Sequence, residues 1–357
     1  MLFRLFTKCC GKRADIKRNQ TQCGVTSINT ILSEGLVGVL SKFQRSRDMV
    51  TIVYMKWGSQ FTARHVNALY AGVLRNMEEA FDFVCLTDNG RDLAAGIKVR
   101  PIPPCGLPEA DWRRGCWAKL GVFAPHLFPF EDVVLFLDLD VMVQQSLAPL
   151  IKLVRQRRHL VIQREWNPDL WKVLPQILRP DRGAQSSVFG FCPETVGNIY
   201  GNFLADAAEI SATMKNDQTY LTQVVTDRSY WPAGFCVSFK RSCTRYFPLN
   251  LLLPAVRRPR DAKIIVFHGK PRPWDTLVEA GERWGSKRRF GIGPVPWIRQ
   301  YFDQADAMMA SMQGNPLNQL WLDGRAGSRF VKCKTDTLPD CHSSRLVGAA
   351  APASRSD

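Results

Sequence analysis

Two carboxylates, Asp138 and Asp140, stand one residue apart in the run VVLFLDLDVMV, whose other nine residues are apolar. A strand buried on both faces reads as an unbroken apolar run, and Val133 to Leu137 does so. In open α/β sheets ligands bind beyond the carboxyl ends of the strands, which is where both aspartates fall. The two-residue strand period puts them on one side of an extended chain. Like charges so close repel, and one of them resists ionising. A divalent cation, Mn2+ or Mg2+, removes the conflict, because such ions are commonly held between carboxylates and substrate phosphates. The plainer alternative is a strand end whose aspartates face water or cap a turn.

A second group follows another apolar run, in IIVFHGKPRPW. His268 leaves its strand as Asp138 leaves its own, so both can reach one sheet edge, and His268 is the candidate third metal ligand. Lys270 and Arg272 are candidates to hold phosphate, with Gly269 permitting close backbone approach. The alternative is a histidine at a strand end beside solvated basic residues.

These groups need strands and helices to place them. MVTIVYMKWG reads as a first strand turning at Gly58, and Phe61, Val66, Leu69, Val73, Leu74 and Met77 recur at helical spacing after it. FDFVCLTDNG and GIKVRPIPP read as strands, the first closing on the turn residues Asp88, Asn89 and Gly90. WAKLGVFAPHLF reads as a helix, as do Leu147–Val154 and a long stretch from about Pro193 to Ala212. HLVIQRE, QSSVFGFC and AKIIVFHG read as strands, and NDQTYLTQVV as a helix start with Asp217 near its N-terminus. Strands alternating with helices predict an α/β fold with a mixed, mainly parallel sheet flanked by helices. Residues 49–306 form the expected catalytic unit. Residues 1–48 form a poorly structured extension, with a translation start at Met49 as an alternative, and residues 307–357 a loose tail.

The chain has 357 residues, a net charge of +16 and eleven cysteines without a C-x-x-C pair. A disulfide framework is not expected; a reducing, cytoplasmic compartment is. No stretch is long and apolar enough to span a bilayer, and the basic N-terminus lacks the apolar segment of a secretory signal. Before Met49 there are nine Lys or Arg against three acidic residues. The excess charge invites an anionic partner, yet no nucleic-acid motif is present, so nucleic acid is an unlikely partner. RWGSKRRFGIGPVPWIRQYF (Arg283 to Phe302) interleaves basic and aromatic residues. It could rest on the cytoplasmic membrane face near a lipid-linked acceptor, or form a solvated helix and loop over the sheet.

In order along the chain, FVCLTD, WAKLGVF, FLDLD, QSSVFGF, NDQTYL and HGKPRPW resemble the GT-A fold nucleotide-sugar glycosyltransferases, in particular glycosyltransferase family 8, the glycogenin and bacterial lipopolysaccharide galactosyltransferase type. The resemblance runs from Met49 to about Trp274. It implies a GT-A-like fold and metal-dependent transfer, with retention, from a nucleoside-diphosphate sugar to a glycan or lipid-linked acceptor. It implies that Asp138, Asp140 and His268 hold the metal and that Asp138 also reaches the donor. Lys119 and Ser187, within two of the matched motifs, become donor-binding candidates, as do Lys270 and Arg272. Asp217 and Gln218 match the acid–amide pair beside the reacting sugar. Two places depart from the family. The six positions from His268 to Trp274 are fewer than usual, and MKWGSQ replaces the acidic and amide residues that read a uracil base. Lys56 and Trp57 stand there as candidates to stack on or hydrogen-bond a base, with packing beneath a loop as the alternative for Trp57. Other readings are an inactive nucleotide-sugar-binding protein, a basic nucleic-acid-binding protein, and a haloacid dehalogenase-like phosphatase. The last expects Thr where Met142 stands.

Overall fold

Seven strands make the central sheet, in the order β3 (Ile97–Arg100), β2 (Phe81–Thr87), β1 (Val50–Lys56), β4 (Val133–Leu137), β7 (Ala184–Phe191), β6 (Leu160–Arg164) and β8 (Arg228–Tyr230). All run parallel except β7, which is antiparallel to both its neighbours. The computed structural model describes residues 49–313 apart from 130–131, 169–170, 172–173, 246 and 288–289. The N-terminal extension and most of the expected tail lie outside these residues.

The apolar runs dictate a sheet covered on both faces. In β1, Val50, Ile52 and Tyr54 join one core and Val53 and Met55 the other; in β4, Val133, Leu135 and Leu137 oppose Val134 and Phe136 in the same way. The first face packs against α1 (Ala63–Asn76) and α2 (Ala148–Arg157). The second packs against the segment Trp117–Phe123, α3 (Ile199–Ala205), α4 (Ala207–Thr213) and α5 (Asp217–Val224). The mixed, mainly parallel sheet flanked by helices is the architecture that the alternation of strands and helices predicts.

Two helices differ from expectation. Trp117–Phe123 is a tight three-residue-per-turn helix rather than an α-helix. It starts from Cys116 in the left-handed region and stops before Pro125, and all seven of its residues are buried. So short a segment, enclosed on every side, has no amphipathic stripe to align an α-helix. The long helix expected over 193–212 is two, because Asp206 leaves helical geometry between α3 and α4. Gly197, with φ 61°, keeps the preceding residues in turns.

A second, three-stranded sheet sits at the edge of the first: β5 (Val141–Val143), β10 (Ile264–Val266) and β9 (Cys236–Ser238). β5 and β10 are antiparallel, with Val141 opposite Val266. Behind them lies α6 (Pro296–Gln313), which runs through the boundary drawn at residue 306. Ile298, Tyr301, Phe302 and Ala305 of α6 share a third core with Ala68 and Ala71 of α1. α1 is thus buried toward both the sheet and α6. Gly72 is required at their closest approach, since a Cβ there would collide with the Tyr301 hydroxyl. Of the rings in the Arg283–Phe302 stretch, Trp284, Tyr301 and Phe302 are buried in this core, and Phe290 and Trp297 are partly buried against it. Among the described residues no helix is long and apolar enough to cross a bilayer.

Candidate active site

Strands β1, β2 and β4 are parallel, so their carboxyl ends share one edge of the sheet. Lys56 ends β1, Thr87 ends β2, and Asp138 follows β4. The chain does not stay extended through the aspartate pair: Asp138 to Asp140 is a turn that carries it from the large sheet into the small one. Because β7 runs the other way, its polar start meets the end of β4. The Asp138 N–H donates to the Ser187 carbonyl at 2.8 Å.

Lys119 is the hub of the charges here. Its Nζ lies 2.9 Å from Asp138 Oδ1 and 3.1 Å from Oδ2. It also donates to the Ser186 carbonyl at 3.3 Å and Oγ at 3.2 Å, and stands 3.9 Å from Asp217 Oδ2. Lys119 is 6% exposed and Asp217 2%. Burial works against the Lys119 ammonium, but Asp138 and Asp217 outweigh it and raise its pKa above the usual lysine value. Burial raises the pKa of Asp217, against the pull of Lys119 and a hydrogen bond from Ser186. The Oδ2 of Asp217 has no hydrogen-bond partner among the described residues. Gln218, half-buried, follows in the first turn of α5.

Asp140 and His268 are brought together by the β5–β10 pairing. Past the Val141–Val266 pair, the Phe267 N–H donates to the Asp140 carbonyl at 3.1 Å, and the Gly269 N–H donates to Asp140 Oδ2 at 3.2 Å. His268 and Gly269 both have positive φ, 28° and 83°, which turns the chain around the Asp140 carboxylate. Burial first, then the Asp138 charge, pushes the Asp140 carboxyl up to about 6. The His268 ring stacks on Trp166 at 5.1 Å, and its Nε2 lies 2.6 Å from Ser238 Oγ. Burial, then Lys240 and Arg241, lowers its pKa to about 3, so the imidazole is neutral near pH 7. Lys240 Nζ donates to the His268 carbonyl at 2.8 Å.

The expected three-ligand metal cage is therefore not formed as such. Among the described residues no group of three or more His, Cys, Asp or Glu side chains is disposed to hold a metal. Asp138 is turned onto Lys119, and the His268 Nε2 is engaged by Ser238. The donor set still fits a divalent ion chemically. It offers two carboxylates, one of them buried against the other's charge, and a neutral imidazole.

The remaining predicted residues divide. Lys56 is 5% exposed and donates to the Asn89 carbonyl at 3.1 Å, so it ties β1 to the loop after β2. Trp57 packs against the second core, the alternative named for it. Arg272 lies over Phe61 at 5.0 Å and Trp274 at 5.7 Å, and its guanidinium faces the Gln60 side-chain amide. It is clamped to the loop after β1, whereas Lys270 is exposed. Ser187 is buried and accepts from Gln185 Nε2 at 2.5 Å. Sequence reasoning missed Ser186, Trp166, Ser238 and Lys240. Ser186 had a signal, since Gln185, Ser186 and Ser187 form a polar triplet opening an apolar strand. The other three are contributed by distant segments and have none.

No protein-family model matches the sequence, and no curated protein matches it. Comparison of folds finds likeness to solved glycosyltransferase structures. An active-site mutant of LgtC is 15% identical, with 72% of this chain and 96% of that one covered and a TM-score of 0.48. The galactosyltransferase LgtC in complex with donor and acceptor sugar analogs is 14% identical over the same shares, with a TM-score of 0.46. The bifunctional glycosyltransferase WbbM is 14% identical, with 78% of this chain and 51% of that one covered and a TM-score of 0.45.

Proposed function

We propose that this protein is a metal-dependent glycosyltransferase that moves a sugar from a nucleoside-diphosphate sugar to a glycan or lipid-linked acceptor. The observation that carries the reading is the buried Lys119–Asp138–Asp217 cluster, set beside Asp140 and His268 where the two sheets meet. Burying that many ionisable groups is costly, and such arrangements concentrate at sites that do chemistry.

Asp138, Asp140 and His268 would hold Mn2+ or Mg2+. When bound, such an ion neutralises charge on the departing diphosphate. Lys270, exposed beside Gly269, would reach the same diphosphate, with Arg272 adding positive charge to the site. Lys119 holds one face of the Asp138 carboxylate and so orients it. Asp217, almost wholly enclosed, acts by fixing Lys119, which leaves Gln218 as the group of that pair nearer the reacting sugar. A carboxylate so enclosed makes a poor nucleophile, which supports departure and attack on one face with retention. The six free thiols among the described residues agree with a reducing, cytoplasmic setting.

The test is a thermal-shift and calorimetric screen of nucleoside diphosphates and their sugars, with and without Mn2+, on the wild type and on Asp140→Asn. A ligand bound only by the native state raises its melting temperature. The expected result is a nucleotide shift that needs the metal and disappears in the variant. Metal-independent binding, or none, would remove this reading.

A further inference from the structure

Between β9 and β10 the chain makes a loop that turns its leucines outward. The Arg257 N–H donates to the Cys243 carbonyl at 2.9 Å, which closes residues 244–256 on themselves. The stem is fixed: Arg258 donates through Nε to Gln144 Oε1 at 3.2 Å, and the Val256 carbonyl accepts from Trp297 Nε1 at 3.3 Å. Within the loop lies one helical turn, Leu249–Leu252. Its burial is the reverse of that of a turn laid on a core, since Asn250 is 5% exposed and Leu252 73%. Phe247 and Leu253 are exposed as well. Single apolar side chains on a surface are ordinary, and it is their clustering that carries meaning. Among the described residues, six of the eight large apolar side chains that are exposed fall on two segments, this loop and the β6–β7 connection with Trp171, Ile177 and Leu178. Both segments are rooted at His268: Lys240, ahead of the loop, donates to its carbonyl, and Trp166, in the connection, stacks on its ring. Residues 239–263 also carry seven Lys or Arg against one acidic residue, and Arg245, Arg257, Arg258 and Arg260 are exposed.

We infer that this loop docks on an anionic lipid bilayer, with Phe247, Leu252 and Leu253 entering the boundary between headgroups and acyl chains and the arginines around them meeting acidic headgroups. Apolar burial and attraction to anionic lipid are the two signals that together hold a protein at a membrane surface. Charge selects this occupant over the chain itself. There are nine Lys or Arg against three acidic residues before Met49 and six against four after Gln313, and a second copy brings +16, so none of these complements a basic surface. Nucleic acid is disfavoured because leucine side chains offer bases no ring to stack on. A protruding apolar tip needs a matching pocket in a protein partner, whereas a fluid bilayer admits it without one. The inference concerns a surface and not the transfer chemistry, so it stands apart from the proposed function.

The test is co-sedimentation of the full chain with phosphatidylcholine vesicles, with and without phosphatidylglycerol, at low and high salt. Wild type is compared with the double variants Leu252→Ser with Leu253→Ser and Arg257→Gln with Arg260→Gln. The expected result is binding that needs phosphatidylglycerol and falls with salt. It should weaken about tenfold or more in the leucine variant and about fivefold for each arginine removed. Since all four side chains are exposed, the melting temperature and the response to nucleotide and Mn2+ should stay at their wild-type values. A melting temperature several degrees lower in the leucine variant would mean that the chain covers these residues itself. A dimer in sedimentation velocity that the leucine variant separates would give the surface to a second copy. Binding lost in the arginine variant but kept in the leucine variant would mark a site for a soluble polyanion. Each of these results would overturn the assignment, as would binding that survives both variants or no binding at all.

Discussion

Lys119 is a buried cation and Arg75 an exposed one, and their surroundings are opposite. Lys119 has Asp138 and Asp217 within ion-pair distance and two oxygens of Ser186 besides. Arg75 has an aromatic ring beneath it and no carboxylate among its described contacts. The first is a charge balanced from within and held in one geometry; the second is a charge that water can solvate. The contrast teaches that a cation taken out of water needs compensation from the chain, which also fixes it in place, as chemistry requires, whereas an exposed cation does not.

The contrast breaks most sharply at Lys119. Lys119→Met leaves Asp138 and Asp217 facing each other without their cation, and should cost about 3–5 kcal/mol in urea unfolding. Adding Asp217→Asn should recover part of that loss; full additivity of the two changes would mean that the residues do not act together. At α1, Gly72→Ala drives a methyl group into the Tyr301 hydroxyl beneath Arg75 and should cost about 1–3 kcal/mol. Adding Tyr301→Phe should relieve it, and an unrelieved loss would place the collision elsewhere.

Asp140→Asn should act in the other direction, stabilising the metal-free protein near pH 7.5 by about 1–3 kcal/mol. The sign follows from its folded-state value of about 6 against an ordinary 3.8. The folded protein binds this proton more tightly than the unfolded chain. The group's contribution is therefore present below pH 3.8 and is lost as the pH rises through 6. His268 works oppositely. Its value of about 3 against 6.5 means that its contribution is present above pH 6.5 and is lost as the pH falls toward 3. In the wild type the two oppose each other over pH 4–6; in Asp140→Asn the His268 dependence should emerge as a steady loss of stability with acid. Urea midpoints from about pH 4 to pH 7.5 that fail to steepen would refute this. The smallest effect belongs to Arg75→Met, which should change stability by less than about 1 kcal/mol, since it removes an exposed charge and one ring contact together. A loss as large as that at Lys119 would erase the comparison.

Much of the fold was legible because its signals are local. The apolar run before Asp138, the helical recurrence from Val66 to Val73 and the turn at Asp88 to Gly90 each lie within a dozen residues, where side-chain period and burial are linked directly. Trp117–Phe123 and the break at Asp206 were not legible. An enclosed segment carries no periodic stripe, and one residue leaving helical geometry leaves no compositional trace. The aromatic residues before and within α6 show the same limit: their interleaving with basic residues resembles a surface, while Trp284, Tyr301 and Phe302 turn out to be buried.

By itself, the sequence determined which residues were available for chemistry: an aspartate pair at the end of a buried strand, a histidine at the end of another, a lysine ahead of the first, an acid–amide pair opening a helix. Only the tertiary structure decided their partners. Antiparallel pairing of β5 with β10 set His268 beside Asp140, and the reversed direction of β7 brought Ser186 and Ser187 to Asp138. The ring of α6 beneath Arg75 and the amide that aims Arg258 belong to the same category. The physical reason is that strand order and direction, and the side of a helix that meets its neighbour, are settled by contacts between segments far apart in the chain.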